Sequence, residues 1–307
     1  MIITNPELKK TVEERSLLPT NDVIFHILFG KVGHENITKS FLESTLNTEV
    51  SEIELDKNLN LQQEHYDDKL GVLDVRARTK DGINYNIEMQ NTSSDTLPER
   101  MLSYWSRLYT GDLKRGNDYD TLVKTIAILI VNDTIKKFNY IKKYNTRWNI
   151  REEDYSNIIL TDDLDIRIIE LPKYKKMVEE KQVKKNIWLE FLLKPDGKEV
   201  IKAMEKDDGI KNAHDEWRKI TQDEINRDRA LRLEIAELDR NTALKHAKRD
   251  GVQEGIKEGI KEGIKEGIEK MILNMYNQKM PIEDIAKYAE LSIDEVKNVI
   301  KKHEKGS

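Results

Sequence analysis

Along the first 194 residues the apolar positions switch between helical and extended periods. In Asn21–Gly30, Val23, Ile24, Ile27 and Leu28 recur at i, i+1, i+4 and i+5, the stripe of an amphipathic helix. Asn21 is placed to cap it. A second helix is predicted over about 34–46, ending at Asn47, and Ser51–Asn60 alternates weakly, as an edge strand does. Lys69–Gln90 carries the clearest pattern. Leu73, Val75 and Ala77 alternate with Asp74, Arg76 and Arg78, and beyond Lys80-Asp81-Gly82 the residues Ile83, Tyr85, Ile87 and Met89 alternate with Asn84, Asn86, Glu88 and Gln90. Two such runs predict a hairpin, apolar on one face and polar on the other. Pro98–Leu113 reads as a helix whose apolar face is Met101, Leu102, Trp105, Leu108 and Tyr109. Leu122–Val131 is a continuous apolar run, as in a central strand buried on both faces. Tyr155–Leu160 and Ile166–Leu171 are further strand candidates, and Lys184–Leu193 an amphipathic helix. The order predicts an α/β fold, a mixed central sheet flanked by helices.

The hairpin register decides what its polar face does. A two-residue Asp-Gly turn would set Asp74 opposite Met89 and send Glu88 to the other surface of the sheet. A three-residue loop with glycine in the left-handed position sets Asp74 opposite Glu88 and keeps both apolar sets on one face, so that register is the expected one. Cross-strand carboxylates about 5 Å apart repel. A hard divalent cation relieves that repulsion, and Mg2+ is often held by one or two carboxylates plus a substrate phosphate. The alternative is that Asp74 and Glu88 point into solvent or pair with Arg76 or Arg78.

Composition adds limits. Charged residues make up 36% of the 307, the net charge is −5 and the pI is about 5.8, so any DNA-binding face must be local. Without cysteine, disulfides, thiolate nucleophiles and Cys-ligated zinc are excluded. The sequence has no apolar run of membrane-spanning length and no signal-peptide core at its start, which points to a soluble cytoplasmic protein. Nucleotide-binding glycine loops, a GxSxG elbow and HExxH spacing are all missing.

NDVIFHILFG at 21–30, LDVRARTKDGINYNIEMQ at 73–90 and RMLSYWSRLYTGDLKRGNDYDTLVKTIAILI at 100–130 resemble the Rpn family of recombination-promoting nucleases, putative transposases with a PD-(D/E)XK nuclease domain. The resemblance runs over roughly residues 20–190. It implies a restriction-endonuclease-like core, DNA as partner, and metal-dependent DNA endonuclease activity (Mg2+, or Mn2+ or Ca2+) linked to recombination or phage defence. Asp74 and Glu88 would bind the metal and the Met89 backbone carbonyl could complete its shell. Gln90 stands in the lysine position of D…(D/E)xK. An amide cannot take a proton from water, so it would only orient or polarise, and a catalytically silent DNA-binding or regulatory assembly is the alternative. Asp22, on the first of these helices, would face the site as a further acid or else complement the helix dipole. His26 could contact phosphate or be a structural histidine. Arg76, Arg78, Arg100 and Arg107 are candidates for backbone contacts with DNA, or solvated surface charge.

After a nuclease-like domain over 1–195, a polar helical connector is expected over 196–250. Over 251–270 glycine recurs every four residues from Gly251 to Gly267, with isoleucine at Ile256, Ile260, Ile264 and Ile268. Each glycine costs a helix interior about 1 kcal/mol relative to alanine. The repeat is therefore expected to be helical only where another helix approaches it, which makes the C-terminal helical region a candidate for homo-oligomerisation; the alternative is a flexible linker. Residues 271–307 read as a small helix-turn-helix-like module whose acids argue against entry into a DNA groove. Pro281 opens its second helix and Ser292 with Glu295 forms a capping box before the third.

Overall fold

The computed structural model describes residues 6–56, 75–111, 113 and 118–304. The chain divides into two compact units, Met1–Ala236 and Glu237–Ser307. In order, the first unit runs α1 (Pro6–Ser16), α2 (Asp22–Gly30), α3 (Glu35–Leu46), β1 (Ile53–Leu55), β2 (Val75–Thr79), β3 (Asn84–Gln90), α4 (Leu97–Thr110), β4 (Thr125–Val131), β5 (Asn145–Trp148), β6 (Leu164–Glu170), α5 (Leu171–Glu179), α6 (Ile187–Leu193), α7 (Lys198–Ala203) and α8 (Asp208–Gln222). A long helix, α9 (Glu224–Asn277), begins there, and α10 (Ile282–Ala289) and α11 (Ile293–Glu304) follow it. No helix among the described residues is long and apolar enough to cross a membrane.

The sheet has six strands in the order β1-β2-β3-β4-β6-β5. β1, β2 and β3 are antiparallel neighbours, β3, β4 and β6 run parallel, and β5 closes the far edge antiparallel to β6. One face carries Tyr85, Ile87, Met89, Ile126, Ile128 and Ile130 into a core shared with the apolar residues of α2, α3, α6 and α8. The other carries Ala127, Leu129, Val131, Leu164, Ile166 and Ile168 against Leu97 and Met101 of α4. β4 is buried along its whole length, as its unbroken apolar run requires.

The hairpin takes the three-residue loop. Val75 pairs with Ile87, Arg76 with Asn86, Ala77 with Tyr85 and Arg78 with Asn84. The Gly82 N–H donates to the Thr79 carbonyl at 2.9 Å, and Gly82 has φ +93°, a left-handed conformation that glycine adopts at little cost. β2 keeps the expected alternation, with Arg76 and Arg78 outward.

Other expectations are corrected. β3 is not half-exposed: Asn84, Asn86 and Glu88 are buried too, because this strand is interior and α4 lies against its polar face. Tyr155–Leu160 forms no strand; Tyr155, Ile158 and Leu160 are exposed, and only an isolated bridge joins Arg151 to Ile159. The edge beside β6 is taken instead by β5, whose NTRW shows no apolar alternation. The helix begun at Asn186 excludes Lys184 and Lys185, since the Asn186 side chain caps it by accepting from the N–H groups of Trp188 and Leu189. Leu102 is exposed rather than part of the inward face of α4, and that helix ends at Thr110.

In the second unit Ile272, Ile285, Ala286, Ala289, Val296 and Ile300 form a small core. Pro281 starts α10. The capping box forms as expected: the Ser292 N–H donates to Glu295 Oε2 at 2.9 Å and the Glu295 N–H to Ser292 Oγ at 3.3 Å. The glycine repeat is helical throughout, although among the described residues the space where a Cβ would stand on Gly251, Gly255, Gly259, Gly263 and Gly267 is open.

Candidate active site

Glu88 lies near the carboxyl end of β3, where strand alternation turns it toward α4. It is fully buried. Its Oε1 accepts from Gln90 Nε2 at 2.9 Å and from Arg100 Nη2 at 2.8 Å. Gln90 reaches it because residues i and i+2 of a strand share a face. Arg100 reaches it because the loop between β3 and α4 is pinned: Ser93 donates from its N–H and its Oγ to Asp133 Oδ2 at 3.0 and 2.9 Å, just beyond β4. Burial alone would raise the Asp133 pKa, but the hydrogen bonds from Ser93 and Thr134 hold it below the usual carboxylate range, so the anchor stays charged.

The main chain contributes as well. The Asn84 N–H donates to the Lys124 carbonyl and the Asn132 N–H to the Gln90 carbonyl, so the even-numbered residues of β3 bond to β4. The odd-numbered residues face β2, as the bond from the Thr79 N–H to the Ile83 carbonyl shows at the turn. By that alternation the Met89 carbonyl is directed to the β2 side.

Asp74 lies outside the described residues. Asp22 is the first residue of α2, after the capping Asn21. That helix packs on the sheet face opposite Glu88, but its start lies close to the end of β3, where Asn91 Nδ2 donates to the Thr20 carbonyl at 3.0 Å. His26 is buried in α2, which suits the structural role and not a phosphate contact. Arg76 and Arg78 stand exposed on the same face as Glu88, and Arg107 is exposed on α4. Among the described residues no three His, Asp or Glu side chains cluster as a metal site.

Sequence reasoning did not foresee Arg100 as a partner of Glu88. A signal was present: Arg100 falls on the inward stripe of α4, three residues after Leu97 and five before Trp105, where a charge needs a partner.

The donor set fits a hard divalent cation: a carboxylate withdrawn from water and a main-chain carbonyl directed toward the neighbouring strand. Two residues before Glu88, on the same face, buried Asn86 has neither its Oδ1 nor its Nδ2 hydrogen-bonded, as at a place completed by a water or a ligand.

A mixed six-stranded sheet flanked by helices, with an acidic residue and an amide at the end of the second hairpin strand, fits a PD-(D/E)XK-like α/β fold. Residues 19–247 match the family described as PD-(D/E)XK nuclease family transposase, more than half of the chain, and the protein belongs to that family. Nuclease-type function, DNA as substrate and a general use of divalent metal ions come with this membership. No curated protein and no solved structure matches the chain.

Proposed function

We propose that the protein is a divalent-metal-dependent DNA endonuclease that hydrolyses phosphodiester bonds. The observation carrying this reading is the hairpin register, with Val75 opposite Ile87; it is the register under which the sequence pattern sets Asp74 opposite Glu88. Asp74, Glu88 and the Met89 carbonyl would hold the ion, Mg2+ or else Mn2+ or Ca2+. When bound, it would polarise the phosphate and lower the pKa of a water. Water oxygen joins phosphorus, the phosphorus–oxygen ester bond breaks, and the leaving oxygen takes a proton. Gln90 orients Glu88 by the hydrogen bond it donates. Asp22 is a candidate further acid at the strand end. Arg76 and Arg78, exposed on β2, are suited to backbone phosphates, which gives an acidic protein a local DNA-facing strip.

A role in recombination or defence against mobile elements and a cytoplasmic setting fit the family. The C-terminal unit is proposed as an assembly module between copies of the chain. Ile256, Ile260 and Ile264 are exposed along α9, and the Lys-Glu pairs between them are self-complementary in charge.

A second reading, a catalytically silent DNA-binding assembly, is favoured by one observation: Glu88 Oε1 already accepts from two donors, and the lysine position is an amide. A plasmid-nicking assay with Mg2+, Mn2+ or Ca2+ separates the two. The expected result is metal-dependent nicking, abolished in Asp74→Ala and in Glu88→Ala. Nicking unchanged in both variants means that the site is elsewhere; no nicking under any condition selects the silent reading.

A further inference from the structure

Among the described residues Arg100 is the cation paired with Glu88, the carboxylate that the proposed reaction assigns to the metal. Its Nη2 is 2.8 Å from Glu88 Oε1, with Glu88 fully buried and the arginine side chain about one-third exposed, at 33%. A guanidinium and a divalent cation cannot share one carboxylate cheaply, since both are positive and the surroundings hold little water to screen them. The rest of the guanidinium is not spent on Glu88. Its Nε is buried and makes no hydrogen bond, a costly condition for a charged donor. Its Cζ lies 5.9 Å from the centre of the Tyr104 ring, one turn along the same helix, so the cation keeps a favourable neighbour if it releases the carboxylate. The group is thus charge-paired at one end, unsatisfied in the middle and open to solvent on one side.

We propose that Arg100 is an exchangeable arm that neutralises Glu88 until a phosphodiester arrives, then turns to a phosphate oxygen and surrenders the carboxylate to the cation. This inference rests on the nuclease reading and adds to it a positioning residue that couples DNA binding to metal binding. Guanidinium forks match phosphate geometry, and a phosphate would supply the acceptor that Nε lacks. The coupling is reciprocal: whatever factor DNA adds to metal affinity, the metal adds to DNA affinity. It also restrains the free protein, because a cation arriving without DNA meets the charge of Arg100 already beside Glu88.

The test measures Mn2+ binding to the full chain at pH 8 by calorimetry, with and without a short DNA duplex that carries non-hydrolysable linkages. In the wild type the duplex is expected to tighten Mn2+ binding by about tenfold or more. Arg100→Gln removes the competing charge, so it should bind Mn2+ about tenfold tighter than wild type without DNA and gain little more when the duplex is added. Arg100→Lys keeps the charge without the fork and should restore the weak DNA-free binding with only part of the coupling. Circular dichroism of each variant verifies the fold. A purely structural role for Arg100 would loosen Glu88 and weaken Mn2+ binding, the opposite sign. Binding that depends on Glu88 but is unchanged or weaker in Arg100→Gln, or coupling that survives in it, overturns the exchange and leaves the nuclease reading standing. Mn2+ bound by neither the wild type nor Arg100→Gln overturns both.

Discussion

The Thr79 N–H donates to the Ile83 carbonyl at 2.9 Å, closing a loop of three residues between β2 and β3. That single bond fixes which side chains of the two strands stand opposite one another. The loop depends on Gly82, whose φ is +93° and whose added Cβ would meet only Val123 Cγ1, at an ordinary 3.7 Å. The cost of Gly82→Ala is therefore conformational strain, about 1–2 kcal/mol, rather than a clash. Urea denaturation should show a lowered midpoint at unchanged slope. A variant as stable as the parent would mean that the loop has another low-energy form.

Gln90 is the second test of the site. Replacing it with lysine puts a titratable donor where an amide now holds Glu88 Oε1 at 2.9 Å. If the proposed hydrolysis is limited by proton transfer from water, Gln90→Lys should nick plasmid faster, by about tenfold or more at pH 8.5, and its rate should rise with pH. An equal or slower rate would show that the metal-bound water needs no base at this position.

Alkaline stability follows from a buried tyrosine. Burial, helped by the charges of Asp81 and Asp165, pushes Tyr85 up to about 12, against about 10 in an unfolded chain. The folded state binds this proton more tightly, so its contribution is complete below pH 10, declines between pH 10 and 12 and is gone above that. It amounts to roughly 3 kcal/mol at most. Tyr85→Phe should flatten the fall in urea midpoint across that window; an unaltered slope would assign the alkaline transition to other groups.

Tyr174 is also raised above the usual tyrosine range, by burial and then by its bond to Glu190. The hydroxyl donates to Glu190 Oε1 at 2.8 Å and accepts from the Asn186 N–H at 2.9 Å, tying α5 to the start of α6. Tyr174→Phe strands both partners and should lower stability by about 1–3 kcal/mol at pH 7, read by thermal denaturation. A loss below about 0.5 kcal/mol would mean that water replaces the hydroxyl.

The glycine repeat separates helix formation from assembly. Alanine at Gly255, Gly259 and Gly263 meets no atom of the described residues within 4 Å and should add about 1 kcal/mol of helix stability per site, seen as increased helical ellipticity. If copies associate across these glycines, the added methyl groups should reduce the mass observed in sedimentation at the same time. A wild-type chain that sediments as a monomer at high concentration defeats the assembly proposal.

What the sequence revealed depended on locality. The hairpin register was readable because, of the two loops that Gly82 allows, only the three-residue one keeps the apolar sets of both strands on one face. β4 was readable because only a strand covered on both sides tolerates Thr125–Val131 without a charge. β5 was not, since Asn145–Trp148 is an edge strand defined by its pairing with β6 rather than by its own side chains. The burial of Asn84, Asn86 and Glu88 was hidden for a similar reason: it is imposed by α4, and a strand sequence does not record what lies above it. Arg100 showed its inward phase but not its partner, because the pairing needs the path of the loop that Asp133 anchors.

The Asn21 side chain donates to the carbonyl of Ala230 at 3.2 Å, and the Trp217 indole N–H to the carbonyl of Leu17 at 2.8 Å. Segments some two hundred positions apart are stapled there, and the staple sits where α2 begins. A shortened chain that stops ahead of α8 would lose both fastenings and bare the apolar surface beneath them. Proteolytic trimming should accordingly spare this belt, and any minimal fragment that still folds has to retain it.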